Sequence, residues 1–182
     1  MKAFLLTAFM LTSTVSLFAD IDTNLVQENS ILKTKEKLTI PMTDEETKKW
    51  APAVTQVLDD GSFVLEWVPA NEGVENWSKL LQIQFFPEAN KTKASDFVSK
   101  FLAALKDKFP KNQSKIISQD DDAAIFEWSI PEENDEPAQY EIAKVITRDN
   151  GIFRVAFTMK TDSISDDQKK EWLKFLIQAK IS

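Results

Sequence analysis

The spacing of apolar residues changes several times along the chain, and this change most constrains the fold. Between Lys79 and Phe86, apolar Leu81, Ile83 and Phe85 alternate with polar residues, which is typical of a strand with one buried face. From Ala94 to Phe109 the apolar residues instead follow the spacing of one helical face. A chain that carries both patterns has to bury a sheet face and a helix stripe against each other. We therefore predict helices packed on a sheet.

Further β-prone runs lie on both sides of this helix. Asp59–Ser62 and Asp149–Gly151 have the composition of tight hairpin turns, because glycine accepts the positive φ that such turns need. The last part of the chain carries three or four strands of an antiparallel meander. The β-prone runs are Val54–Leu58, Phe63–Val68, Lys79–Phe86, Lys115–Gln119, Ala123–Ile130, Tyr140–Arg148 and Ile152–Lys160.

Two capping patterns indicate further helices. Ser165 with Gln168 forms a capping box before a C-terminal apolar stripe, and Lys180 suits the negative end of that helix. Thr43 with Glu46 forms another capping pattern, which begins a short helix. Trp50 is predicted to lie near the end of this helix, and Pro52 to stop it. The sequence thus predicts an α+β fold in which a single antiparallel sheet of about six strands carries two amphipathic helices.

Residues 1–19 have the composition of a secretion signal. Lys2 gives a positive start, an apolar run reaches Phe18, and small Ala19 precedes acidic Asp20. Thr and Ser residues inside the run argue against a membrane span, so we expect cleavage and a periplasmic or secreted protein. Residues 20–42 are interpreted as an N-terminal arm and residues 43–182 as a single α+β domain.

Missing residue types restrict the chemistry. The chain has no cysteine and no histidine, which excludes Ser-His-Asp and Cys-His catalysis and ordinary zinc or haem-histidine sites. Removing residues 1–19 takes away Lys2 and no acid, which changes the net charge from −7 to −8. An acidic surface without a basic cluster disfavours nucleic acid. We predict no cofactor, no metal, and no membrane anchor after cleavage.

The order of elements from about Val54 onward is similar to the Mog1/PsbP-like fold, which includes small secreted bacterial proteins and photosystem-associated lumenal proteins. A local run also resembles uncharacterised secreted or periplasmic bacterial proteins. That run comprises Glu66-Trp67-Val68-Pro69, Glu72, Val74, Trp77 and Leu81-Gln82-Ile83-Gln84-Phe85-Phe86. The two resemblances bring no catalytic residue and imply a binding or accessory role by analogy of fold.

A loop rich in acids and tryptophan is the first candidate binding site. Glu66, Trp67, Glu72, Glu75 and Trp77 combine carboxylates with aromatic rings, a combination that holds cationic or sugar-like ligands. In the alternative interpretation, the two tryptophans fill the margin of the core.

Other acidic residues have competing interpretations. Asp120–Asp122 is either a calcium ligand group or a solvated turn, and the spacing favours the turn. Pro131–Pro137 is interpreted as a charged loop that discourages sheet-edge pairing. Among Glu66, Glu127 and Glu141, a carboxylate pair could hydrolyse glycosides. Glu127 and Glu141 lie opposite apolar positions of their strands, so we expect them to face solvent.

These observations lead to one functional prediction and two alternatives. We predict an exported, non-enzymatic binding or accessory protein with a protein or small-ligand partner. The alternatives are a small carboxylate-dependent hydrolase and a secreted host-interaction protein.

Overall fold

The computed structural model describes residues 38–87, 92–133 and 136–181. The strands are β1 (Leu38–Thr39), β2 (Trp50–Val57), β3 (Phe63–Pro69), β4 (Lys79–Phe86), β5 (Gln113–Gln119), β6 (Ala123–Ile130), β7 (Gln139–Arg148), β8 (Gly151–Met159) and β9 (Lys180–Ile181). The helices are α1 (Asp44–Thr47), α2 (Ala94–Lys108) and α3 (Asp166–Gln178).

The strands form two antiparallel sheets. A seven-stranded sheet has the order β2-β3-β4-β8-β7-β6-β5, and β1 pairs with β9 in a two-stranded sheet. The predicted fold class, an α+β fold with a single six-stranded sheet and two helices, is therefore wrong: the described chain is mostly β, with two sheets and three helices. The seven β-prone runs of the sequence correspond to β2–β8, so the predicted number of about six strands is too low for the main sheet. The second sheet was missed because its two-residue strands are too short to show an alternating pattern.

The segment before the main sheet also differs from the prediction. The capping box of Thr43 and Glu46 is confirmed, but α1 ends at Thr47, and Trp50 begins β2 instead of lying near the end of a helix. Pro52 lies inside β2 rather than stopping α1. An edge strand tolerates proline because one side of it needs no ladder hydrogen bonds, and the pairing register shifts just after Pro52.

Both faces of the seven-stranded sheet are buried against helices. On the α3-side face, Phe157 of β8 stacks on Trp172 of α3 with ring centroids 5.3 Å apart. On the α2-side face, Phe126 of β6 meets Phe101 of α2 at 5.5 Å in an edge-on contact. The central strands β7 and β8 therefore contribute apolar side chains to both faces, as the two separate core clusters show.

Tight turns fix two of the hairpins. Gly61 has φ +85° in the turn between β2 and β3, and Gly151, the first residue of β8, has φ +152° directly after the turn that follows β7. Both predicted glycine turns are therefore confirmed. Gly151 also lies against β4, where an added Cβ would come within 2.5 Å of the Phe86 carbonyl oxygen. Glycine at this position thus serves both the turn and the close approach of β4.

The described ends of the chain lie side by side. Leu38 of β1 pairs with Ile181 of β9, and both side chains belong to the α3-side core. The predicted signal segment and residues 20–37 of the predicted arm lie outside the described residues, as do residues 134 and 135 of the predicted acidic loop. None of the helices described is both long and apolar enough to cross a membrane.

Candidate binding site

Four polar side chains line the α2-side face of β3, β4 and β8. Glu66 of β3 faces Gln82 of β4, and Gln84 of β4 faces Arg154 of β8 in the strand register. Because side chains alternate between the faces of a sheet, these residues point to the same side as Phe126. We call Glu66, Gln82, Gln84 and Arg154 the polar strip.

Arg154 is held by a buried ion pair with Glu141 of β7. The side chains are 4 % and 5 % exposed, and the guanidinium Nη2 donates to Glu141 Oε1. Ala143 and Ala156 are paired between the two residues' positions, and their small side chains leave room for the arginine to reach along the face. Glu141 also accepts hydrogen bonds from Trp128 Nε1 at 2.7 Å and Thr158 Oγ1 at 3.2 Å.

Hydrogen bonds continue from this ion pair to Glu66. Arg154 Nη1 donates to Gln82 Oε1 at 2.7 Å and to Gln84 Oε1 at 2.8 Å. Gln82 Nε2 then donates to Glu66 Oε1 at 2.5 Å. The ring of Phe101 covers the guanidinium, with its centroid 5.2 Å from Arg154 Cζ. The orientation of the Glu66 carboxyl is thus set, through Gln82, by the buried ion pair.

The members of the polar strip differ in their access to solvent. Counted over the whole residue, Arg154 and Gln82 are each 3 % exposed, whereas Glu66 and Gln84 are half-buried. Helix α2 packs mainly on β5, β6 and β7, which leaves Glu66 and Gln84 beside the helix rather than beneath it. These two side chains are therefore the part of the strip that a ligand can reach.

Burial also alters the protonation of Glu66. Desolvation raises the pKa of its carboxyl, and this effect exceeds the lowering caused by the Gln82 hydrogen bond and the charge of Arg154. The carboxyl consequently keeps its proton to a higher pH than an exposed glutamate does. When protonated, it can donate as well as accept hydrogen bonds.

The five residues proposed from sequence do not meet at one point. Glu66 and Trp67 are adjacent in β3 and so lie on opposite faces, with Trp67 packed against the α3-side core. The Glu72 carboxylate accepts hydrogen bonds within its own loop, from the Ser78 hydroxyl at 2.6 Å and from the Ser78 N–H at 2.5 Å. These two bonds lower the pKa of Glu72. Glu75 is exposed.

Trp77 already has a cationic neighbour. The Lys160 ammonium lies 4.5 Å from the centroid of the indole ring. Lys79, two residues after Trp77, begins β4 and is three residues from Gln82, which corresponds to roughly 10 Å at the usual rise of a strand. Trp77 and Glu66 therefore lie at different levels of the sheet, and ligand binding by the 66–77 segment stays a prediction.

The expectation that Glu127 and Glu141 face solvent is wrong. Glu127 Oε2 accepts a hydrogen bond from the Tyr140 hydroxyl at 2.6 Å and lies 2.6 Å from Lys169 Nζ of α3. Burial raises the Glu127 pKa, but the hydrogen bonds from Lys169 and Tyr140 outweigh it and the net pKa is lowered. The predictions for Glu127 and Glu141 assumed that only one face of the sheet is buried, whereas helices cover both faces.

A carboxylate pair for glycoside hydrolysis is not assembled from Glu66 and Glu141. Gln82 and Arg154 lie between them, so the space that a scissile bond would need is occupied by side chains. All of the hydrogen bonds described for the Glu141 carboxylate come from side chains of the protein itself. Its role in this geometry is to hold Arg154.

The acidic turn is occupied by local contacts. Asp120 Oδ1 accepts from the N–H groups of Asp122 and Ala123, while Asp121 pairs with Lys93 at 3.0 Å. Across the part of the chain that the structure describes, no group of three or more acidic side chains has a geometry that could hold a metal ion. These contacts favour the solvated turn over the calcium interpretation.

Comparison with protein-family models places the chain in a family. The match covers residues 46–181 and the family is uncharacterised. The chain belongs to this family. All members of the polar strip and the predicted 66–77 segment lie within the matched range. A search of curated proteins gives no match.

Proposed function

We propose that the chain is an exported binding protein that holds a small uncharged ligand against the polar strip. One observation carries the binding proposal: a continuous chain of hydrogen bonds leads from half-buried Glu66 through Gln82 and Arg154 to buried Glu141. Such networks are costly to bury, and they fix the geometry of the group at their end. Here that group is the Glu66 carboxyl.

The charges of the strip favour an uncharged ligand. Glu141 balances the charge of Arg154, and burial favours the neutral form of Glu66. A ligand that reaches the strip thus meets a carboxyl and the Gln84 amide, which recognise hydroxyl and amide groups by hydrogen bonding. A neutral, hydroxyl- and amide-bearing molecule such as an N-acetylated sugar has this chemistry.

A titration of the protein spanning residues 20–182 tests the site. The probe is tetra-N-acetylchitotetraose, which is neutral, and the comparison probe is its deacetylated, cationic form. We expect the side-chain amide resonances of Gln82 and Gln84 to shift with the neutral probe, and the shifts to disappear in Glu66→Ala. The matched control is Glu75→Ala, at an exposed position, which should bind as wild type does.

Three outcomes would contradict the proposal. The first is the absence of any shift in the strip, and the second is binding that survives Glu66→Ala. The third is a preference for the cationic probe that disappears in Trp77→Ala, because that result would move the site to the 66–77 segment.

The export proposal rests on the composition of residues 1–19 and has its own test. The full chain is produced in a Gram-negative host, and the protein is recovered from the periplasm and the medium. We expect an intact mass that begins at Asp20. A control with Leu5→Arg and Leu6→Arg interrupts the apolar run and should keep the protein in the cell with its first residues attached. Wild-type protein that retains residues 1–19 in the cytoplasm would contradict export.

A further inference from the structure

Strand β2 lies at the outer edge of the seven-stranded sheet, and it is uncharged and exposed in its second half. No charged residue occurs from Trp50 to Leu58, and the residues from Thr55 to Leu58 are exposed. Val57 and Leu58 each keep 41 % of their surface exposed. Among the described residues β2 pairs only with β3, so its other side is a sheet edge. Edges of this kind are templates for pairing with another strand.

The hydrogen-bond pattern identifies which backbone groups point outward. The Leu58 N–H donates to the Ser62 carbonyl at 2.8 Å, so this pair is a hydrogen-bonded pair of the β2–β3 ladder. Antiparallel pairs alternate in type along the ladder. In the register of β2 with β3, Gln56 then points toward β3, whereas Thr55 and Val57 point their N–H and C=O groups away from it.

The two edges of the sheet are protected to different extents against pairing with another strand. At the opposite edge, β5 carries Lys115, and its register shifts between Ile116 and Ser118, in the middle of the strand. In β2 the shift lies near the start, between Pro52 and Val54. Bulges and charges obstruct edge pairing where they occur. The second half of β2 has neither of them.

We propose that the outer edge of β2 pairs antiparallel with the same edge of a second copy of this chain. In the register that uses both outward residues, Thr55 of each copy forms a hydrogen-bonded pair with Val57 of the other, and Gln56 faces its own symmetry mate. Such a two-fold contact is self-complementary.

Charge favours this occupant and this orientation. Lys48 and Lys49 precede the uncharged strand, and Asp59 and Asp60 follow it. Antiparallel pairing brings the basic end of one copy toward the acidic end of the other, whereas parallel pairing would align like charges. One strand edge buries less surface than a standard interface, so the dimer is weak and depends on concentration.

Cysteine cross-linking tests this contact directly because the natural chain has no cysteine. In the proposed register, Gln56 and its symmetry mate form a non-hydrogen-bonded pair with Cα atoms about 4.5 Å apart, which a disulfide can span. We expect Gln56→Cys to give several-fold more covalent dimer on mild oxidation than the control Ile116→Cys, at an exposed position of the opposite edge.

A second variant separates pairing from folding. Val57→Lys adds a charge to the exposed side chain without removing any hydrogen bond to β3. It should abolish the concentration-dependent increase in mass in sedimentation equilibrium, while circular dichroism remains unchanged. Equal cross-linking of the two cysteine variants, or a wild-type protein that stays monomeric over the whole concentration series, would overturn the proposal.

Discussion

The Arg154 guanidinium and the Glu141 carboxylate form an ion pair between β8 and β7 in which both side chains are almost fully buried. Replacing Arg154 by methionine leaves a buried carboxylate that keeps only the Trp128 and Thr158 donors. Removing one member of such a pair typically costs about 3–5 kcal/mol, because the remaining charge is uncompensated. We expect a loss of this size for Arg154→Met in the free energy of unfolding measured with urea.

A double-mutant cycle checks the cause of that loss. Glu141→Gln removes the charge and keeps an acceptor for Trp128 Nε1, so Arg154→Met should cost much less in the Glu141→Gln background. If the arginine substitution costs the same in both backgrounds, the lost stability comes from packing under Phe101 and not from the ion pair.

The protonation of Glu66 makes stability depend on pH. Burial raises the pKa of this carboxyl above its ordinary value of 4.5, so folding favours the protonated form. The stability that Glu66 contributes is complete below pH 4.5 and is lost as pH rises through the raised pKa of the folded state. Glu66→Gln, which mimics the neutral acid, should therefore gain stability relative to wild type between pH 4.5 and neutrality.

Urea unfolding of both proteins across that pH range measures the effect. Glu75→Gln removes an exposed carboxylate and controls for the loss of one negative charge. A constant difference between Glu66→Gln and wild type at every pH would contradict the raised pKa.

Gly151 is expected to tolerate no side chain. Its φ of +152° disfavours other residues, and an added Cβ would lie 2.5 Å from the Phe86 carbonyl oxygen and 2.9 Å from the Phe85 ring. Strain at such a backbone position alone costs of order 1–3 kcal/mol, and the contact with β4 adds to it. We expect Gly151→Ala to lower the melting temperature clearly.

Gly73→Ala is the matched control, because the nearest atom to its added Cβ is the Asn76 side-chain oxygen at an ordinary 3.4 Å. Its effect should stay within about 0.5 kcal/mol. Similar losses for the two variants would show that the turn at Gly151 adapts.

The sequence predicts local features of this fold better than contacts between strands. The alternation of Leu81, Ile83 and Phe85 identifies β4, and the capping boxes at Thr43 and Ser165 identify helix starts, because these signals lie within a few residues of one another. The partners of a side chain across a sheet depend instead on register and on which faces the helices cover.

Glu141 and Arg154 illustrate this limit. The sequence predicts that Glu141 faces solvent because it lies opposite the apolar positions of its strand. This prediction is wrong because helices bury the sheet on both sides. The available signal was Arg154, which stands inside the apolar run Gly151–Met159 and therefore needs a buried partner. That this partner is Glu141 follows only from the pairing of β7 with β8.

Lys144 stabilises the end of α3 from the neighbouring sheet. Its ammonium donates to the carbonyl oxygens of Ile177 at 3.1 Å and Ala179 at 2.7 Å. The sequence instead predicts Lys180 for this end of the helix. Carbonyls at a helix C-terminus lack partners within the helix, and hydrogen bonds that involve a charged group contribute roughly 1.5–3 kcal/mol. We expect Lys144→Met to lose stability in that range. It should also speed hydrogen exchange of the Ala179 amide, which donates to the Phe175 carbonyl in the last turn.

Lys180→Met removes an equal charge from an exposed side chain and should change neither the stability nor the exchange rate. A larger loss for Lys180→Met than for Lys144→Met would contradict this assignment.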